Sequence, residues 1–195
     1  FNRSEHTIVD HYIYGIVTDG DLMEGISAEA ASLAGHLKLG KLIYLYDDNK
    51  ISIEGSTELT FTEDRGKRFE AYGWQVLHVE DGNDVEAIDK TIIEAKKDER
   101  PSLIVCKTQI GYGLPTKAGT EKAHGEPPGE EELLKAKENL GWPTDKKFYI
   151  PDDVLAHFRE VKTKGEEFEQ AWLERFRAYK EVYPELGAEF ERRMA

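Results

Sequence analysis

Two short clusters of oxygen-bearing side chains stand out in this 195-residue chain, Asp19-Gly20-Asp21 and Asp47-Asp48-Asn49. Each follows an apolar run, YIYGIV at 12–17 and LIYLY at 42–46. Carboxylate and amide oxygens suit a hard cation such as magnesium or calcium, and magnesium typically keeps only one or two carboxylates beside phosphate oxygens and water. Asp19 and Asn49 stand thirty residues apart, a spacing that brings them together if the two runs are neighbouring strands. Gly20 adds a second requirement. Without a Cβ the backbone can approach a ligand closely at a helix start, where unpaired N–H groups favour an anion. A metal-bridged diphosphate answers both features, whereas a turn with an N-cap would explain the triplet if it stood alone.

These clusters need a scaffold that delivers them to one edge. Tyr12–Val17 reads as a strand buried on both faces, and Glu24–Leu39 as a helix with Ile26, Ala30, Leu33 and Leu37 on one stripe and many small residues for close packing. Gly40 is expected to end it in the left-handed manner before a second strand, Leu42–Tyr46. A polar loop through Thr57 and a helix Glu63–Tyr72 lead to a third strand, Gln75–Val79. Asp84 is placed to cap a helix reaching Lys96, and SLIVC at 102–106 is a fourth strand. Four strands alternating with three helices predict an α/β, doubly wound parallel sheet with helices on both faces, and ligands in such sheets sit beyond the carboxyl ends of the strands. Gln109–Gly129 is long for a connection and is a candidate functional loop. A short helix, Glu130–Leu140, and a connector, Gly141–Pro151, follow. From Glu166 onward Phe168, Trp172, Phe176, Tyr179 and Tyr183 share a helical face that Pro184 interrupts, which reads as a packed aromatic strap. The expected division is 1–145 for the sheet domain and 146–195 for a helical connector.

Composition narrows the partners. With 26 Lys and Arg against 39 Asp and Glu, the formal charge of −13 opposes contact with a nucleic-acid backbone or an anionic membrane surface. No apolar run approaches the roughly 18 residues of a membrane span, the N-terminus has no signal-peptide pattern, and the single cysteine, Cys106, cannot form an internal disulfide. These features lead to the expectation of a cytoplasmic location and an inert, buried Cys106.

The segment TDGDLMEGISAEAASLAGHLKLGKLIYLYDDNKISIEG resembles the thiamine-diphosphate signature of transketolases, which runs from a GDG triplet to an Asn about thirty residues on. RFEAYGW at 68–74, IGYG at 110–113, AHGEP at 123–127 and the strap WLERFRAYKEVYPEL are similar to further transketolase segments in the same order. The resemblance implies thiamine diphosphate with magnesium or calcium, sugar-phosphate substrates, a homodimer, and transfer of a two-carbon ketol unit from a ketose phosphate to an aldose phosphate in the pentose phosphate pathway. Asp19 and Asn49 correspond to the side-chain metal ligands, Ile51 to the residue giving a backbone carbonyl, and Gly20 to a backbone contact with the diphosphate. Ile53 and Ile110 match apolar residues flanking the thiazolium ring, where ordinary core packing is the other reading. His124 matches a catalytic histidine near the diphosphate and the reacting carbon, and Glu24 matches a dimer-interface carboxylate that couples the two cofactor sites.

One position departs from the pattern: Thr18 stands where the family usually has the first Gly of the triplet, which implies that no positive φ is needed there. The resemblance also implies upstream histidines and a Gly-rich loop on the diphosphate, and a glutamate from the next domain of the partner subunit on the aminopyrimidine. None of these is recognisable in this chain, which is therefore expected to be an inactive piece when isolated. Rival readings are another thiamine-diphosphate enzyme, such as a dihydroxyacetone synthase or deoxyxylulose-phosphate synthase, and a noncatalytic module that keeps the fold.

Overall fold

The four apolar runs pair side by side in the computed structural model, which describes residues 1–195. Tyr12–Asp145 forms one unit, and Phe1–His11 with Lys146–Ala195 forms a second. In the first, the chain runs β1 (Ile13–Thr18), α1 (Asp19–Met23), α2 (Gly25–His36), β2 (Leu42–Asp48), a small hairpin of β3 (Ile51–Ser52) and β4 (Gly55–Ser56), α3 (Arg65–Ala71), β5 (Gln75–Val79), α4 (Val85–Ala95), β6 (Ser102–Lys107) and α5 (Glu130–Asn139). The sheet order is β1-β2-β6-β5 and every pair in it is parallel.

Side-chain alternation along β2 and β6 divides the core between the two faces of the sheet. Tyr46 and Leu103 face a cluster made with Ala31 and Ala34 of α2, Phe69 of α3 and Trp74. Ile43, Ile104 and Cys106 face the other side, against Ala95, Ile88 and Ile92 of α4. Helices therefore cover both faces, as expected of a doubly wound sheet. Asp84 caps α4 by accepting a hydrogen bond from the Ala87 N–H at 2.9 Å, and Cys106 is buried, which raises its thiol pKa.

Two local expectations are corrected. First, β1 is an edge strand and is not buried on both faces: Ile13, Tyr14 and Ile16 are 52%, 48% and 76% exposed, because β2 is its only neighbour. Second, the left-handed residue after α2 is Lys38 (φ 51°), not Gly40. Gly40 is required for space instead, since a Cβ there would lie 2.5 Å from the Glu99 carbonyl oxygen. The first eleven residues group with the C-terminal helices.

That second unit is built on α6 (Asp152–Val182) and α7 (Pro184–Met194). Pro184 sits in the first turn of α7, where a missing N–H costs nothing. Ile8, Phe176 and Tyr179 form a small core with Trp172, Tyr183, Leu186 and Phe190. The Trp172 indole donates to the Ile8 carbonyl and the Tyr179 hydroxyl to the Phe1 carbonyl, both at 2.8 Å, so the N-terminal segment is stapled to α6. Phe168, expected on the same packed stripe, is 74% exposed. No helix in either unit is long and apolar enough to cross a membrane.

Candidate cofactor and metal site

The register of the parallel pair brings the two oxygen clusters together. Thr18 lies opposite Asp47, so Asp19 leaves β1 beside the Asp48-Asn49 end of β2. Asp19 is only 1% exposed. Its Oδ1 accepts a very short hydrogen bond from the Tyr46 hydroxyl, and its Oδ2 has no partner at all. Arg65, also buried, donates from Nε to the Tyr46 oxygen at 3.0 Å and from Nη2 to Asp48 Oδ1 at 3.1 Å. Its Nη1 is held by the carbonyls of Glu63 (2.7 Å) and Phe61 (3.3 Å).

The electrostatics follow from burial. Desolvation pushes the Asp19 carboxyl above its ordinary range, and the Tyr46 hydrogen bond and the Arg65 charge pull it only partly back. Desolvation and the adjoining Asp19 push the Tyr46 hydroxyl up in turn, so it stays a donor. Burial opposes the charge on Arg65, but Tyr46 and Asp48 outweigh it and hold the guanidinium protonated.

The second cluster is locked by its own turn. Asp47 accepts a very short hydrogen bond from the Thr108 hydroxyl on one oxygen and a 3.1 Å bond from Asn49 Nδ2 on the other. Asn49 Oδ1 accepts from the Ile51 N–H at 2.9 Å. These two bonds fix which way the amide points and leave Oδ1 a second lone pair. Between them Lys50 adopts a left-handed backbone (φ 64°) and places Nζ 2.7 Å from Asp48 Oδ1. Asp48 is thus shared by two cationic side chains. Asp19 is the one carboxylate here with a buried, unshared oxygen.

In front of these groups, a Cβ added at Gly20 would meet nothing closer than Thr18 Oγ1 at 3.9 Å, so the space over the start of α1 is open. Thr18 is extended (φ −116°), which agrees with the sequence reading of that position, and the Asp21 carboxylate accepts from its N–H (2.7 Å) and hydroxyl (2.9 Å). The helix expected to start at Glu24 is preceded by the separate short turn α1. Glu24 is the exposed, extended residue between the two, and its side chain makes no capping bond.

The remaining residues singled out in the sequence are more scattered. Ile51 begins β3, with its neighbour Ile53 at the hairpin turn and 68% exposed, so core packing does not account for Ile53. Ile110 is half-buried at the start of the long loop, and His124 is exposed near its end, after a single 3-10 turn at Glu121–Ala123. The loop is fastened to α5. Glu132 accepts from the Thr116 N–H (2.8 Å), the Lys117 N–H (3.1 Å) and the Thr116 hydroxyl (3.1 Å), and Asn139 donates to the Gly113 carbonyl (2.9 Å). Those backbone N–H groups hold the Glu132 carboxyl below its usual range. No hydrogen bond or ion pair ties the His124 imidazole to Asp19 or Asn49. Sequence reasoning missed Tyr46 and Arg65. The available signal was a tyrosine inside a buried apolar strand, because a buried phenol needs a hydrogen-bond partner.

The comparisons with known proteins match this architecture along its whole length. The family model for the transketolase thiamine diphosphate binding domain matches residues 1–195. The chain belongs to the transketolase family. It is 53% identical over 191 residues to a transketolase of Halalkalibacterium halodurans, covering 98% of this chain and 29% of that protein. It is 52% identical over 196 residues to transketolase 2 of Escherichia coli K12, covering 100% and 29%. Among solved structures, a Pichia stipitis transketolase complex with sedoheptulose-7-phosphate superposes with a TM-score of 0.93 at 45% identity, covering 99% of this chain and 29% of that one. Transketolase from Leishmania mexicana gives 0.92 at 46%, covering 97% and 28%. The chain thus spans less than a third of the length of the transketolases it matches, and the doubly wound sheet is the transketolase thiamine-diphosphate-binding fold.

The residues fit the group the family implies. An orphaned buried carboxylate oxygen, a fixed amide oxygen with a free lone pair, and open space over a glycine are what a hard cation carrying phosphate oxygens requires. No group of three or more His, Cys, Asp or Glu side chains offers a rival metal site.

Proposed function

We propose that this chain grips the diphosphate of thiamine diphosphate through a divalent cation, magnesium or calcium, as one part of a transketolase that transfers two-carbon ketol units between sugar phosphates. The observation that carries this reading is Asp19 Oδ2, buried without a partner at the end of β1. Leaving such an acceptor unsatisfied costs about 1–3 kcal/mol, more for a charged group, and a cation removes that cost. Asp19 and Asn49 would supply side-chain oxygens and Ile51 its carbonyl, with the Gly20 backbone against the diphosphate. When bound, the cofactor supplies a nucleophilic carbon and an electron sink for carbon–carbon cleavage.

The other roles rest on the family likeness. Ile53 and Ile110 would exclude water from the thiazolium ring, and the exposed apolar Ile53 side chain supports this. His124 would hydrogen-bond a phosphate oxygen or move a proton near the reacting carbon. Glu24 would lie at a homodimer interface. Sugar-phosphate substrates are supported by the sedoheptulose-7-phosphate complex of the Pichia stipitis relative. Residues 146–195 would act as the connector to a second domain, and the working location would be the cytoplasm. The purified 195-residue chain would have no turnover, since the substrate-gripping and aminopyrimidine-contacting residues implied by the family are not recognisable in it.

Calorimetry tests the reading: thiamine diphosphate should bind the chain with magnesium present and lose that binding in a chelator. Equal binding in both conditions would contradict it. The same titration addresses Thr18. Because Thr18 is already extended and bonded to Asp21, Thr18→Gly should give no gain in cofactor affinity. It should destabilise the fold by about 1 kcal/mol, through lost side-chain bonding at the helix start and added backbone entropy. Tighter binding by the glycine variant would show that the threonine crowds the diphosphate.

A further inference from the structure

Resting on the proposed cation site, the geometry points to Tyr46 and Arg65 as positioning residues for it: a buried relay that clamps one oxygen of Asp19 and presents the other to the ion. The relay has a direction. Arg65 Nε–H donates to the Tyr46 oxygen at 3.0 Å, so the phenol's single proton goes to its acceptor, Asp19 Oδ1. Arg65 is itself held in place, because Asp48 and the carbonyls of Phe61 and Glu63 engage both of its Nη nitrogens.

The same arrangement selects which carboxylate meets the cation. Asp48 follows Asp47, the register partner of Thr18, but its Oδ1 is already shared between Lys50 at 2.7 Å and Arg65 at 3.1 Å. Arg65 Nη2 approaches Asp19 only to 3.9 Å, and on the Oδ1 side. Oδ2 is thereby left unshared. A site with one free carboxylate, one amide and room for phosphate suits magnesium better than a purely acidic cluster would. Partners that orient metal ligands in this way typically contribute 10–100-fold to metal affinity.

A merely structural role is the rival account, in which Arg65 caps two loop carbonyls and Tyr46 fills the core. Titrating magnesium at a fixed level of thiamine diphosphate, on the full 195-residue chain, separates the two. Tyr46→Phe keeps the ring and deletes only the hydroxyl. Its magnesium requirement for half-saturation should rise about tenfold and be overcome by excess magnesium. A structural role would instead lower the melting temperature in chelator and leave the magnesium requirement within about twofold of the wild type, which would overturn the proposal. Arg65→Lys is the second variant and carries the test if Tyr46→Phe does not fold. It keeps the charge but loses the fork that holds Tyr46, and should raise the requirement several-fold. If the wild-type chain shows no magnesium-dependent binding at all, the proposed function fails and the positioning role with it; if only the variants behave as wild type, the positioning role alone fails.

Discussion

Asparagine at position 19 should give a chain that is more stable than the wild type without metal and insensitive to metal. Asp19 is fully buried, its Oδ2 is unpaired, and burial raises its carboxyl pKa above the ordinary 3.8. The sign is fixed by that direction. A folded state that holds the proton more tightly than the unfolded state loses stability as the pH rises from 3.8 through the raised value, and the deficit persists at neutral pH. Asparagine carries no charge to desolvate and still accepts the Tyr46 hydroxyl. In chelator at neutral pH, Asp19→Asn should gain on the order of 1 kcal/mol, and below about pH 3.8 the two chains should become equal. Magnesium-dependent cofactor affinity should meanwhile fall by about 100-fold or more, since even residues that only orient a ligand are worth 10–100-fold. Urea unfolding at two pH values, with and without magnesium, reads both effects. An asparagine variant that is less stable than wild type in chelator would mean that Asp19 is a structural carboxylate and not one held ready for a cation.

Gly35→Ala should be among the most damaging single-methyl changes in the chain. Gly35 lies in α2 on the face against the turn that follows α3. A Cβ there would overlap the carbonyl oxygen of Tyr72 and stand 2.9 Å from its carbon. Backbone atoms cannot rotate away as a side chain can, so α2 must lift off the sheet, straining the Trp74 indole bond to the Ala31 carbonyl (2.8 Å). Overpacking typically costs 1–3 kcal/mol and sometimes more, which outweighs the ~1 kcal/mol that alanine gains over glycine inside a helix. A net loss of about 2 kcal/mol or more is expected from chemical unfolding. Gly25→Ala, in the first turn of the same helix with nothing within 4 Å of the added methyl, is the control and should be neutral or stabilising. Equal stability of the Gly35 and Gly25 variants would show that α2 is not held at that close contact.

Much of this was legible in the residues. The apolar runs marked the four sheet strands because strands of a parallel sheet are continuously apolar, and the small residues of EGISAEAASLAGH announced the close approach that Gly35 makes. The clusters at 19–21 and 47–49 marked the strand ends because ligands in such sheets sit there. What stayed hidden depended on neighbours in space. Ile13, Tyr14 and Ile16 look like core until the strand order puts β1 at an edge. Lys38 adopts a backbone that the nearby glycine seemed made for, because Gly40 is used against Glu99 instead. Phe1 and Ile8 dock on a helix more than 160 residues away, a pairing that periodicity does not encode. Arg65 reaches Tyr46 across nineteen residues, and nothing in either local sequence ties them together.

Crystals grown or soaked with manganese in place of magnesium, together with thiamine diphosphate, would locate the cation by its anomalous scattering. One anomalous peak is expected, bonded to Asp19 Oδ2 and Asn49 Oδ1, with the diphosphate passing over Gly20. A bound cofactor whose manganese lies elsewhere, with Asp19 Oδ2 still bare, would contradict the proposed cation site.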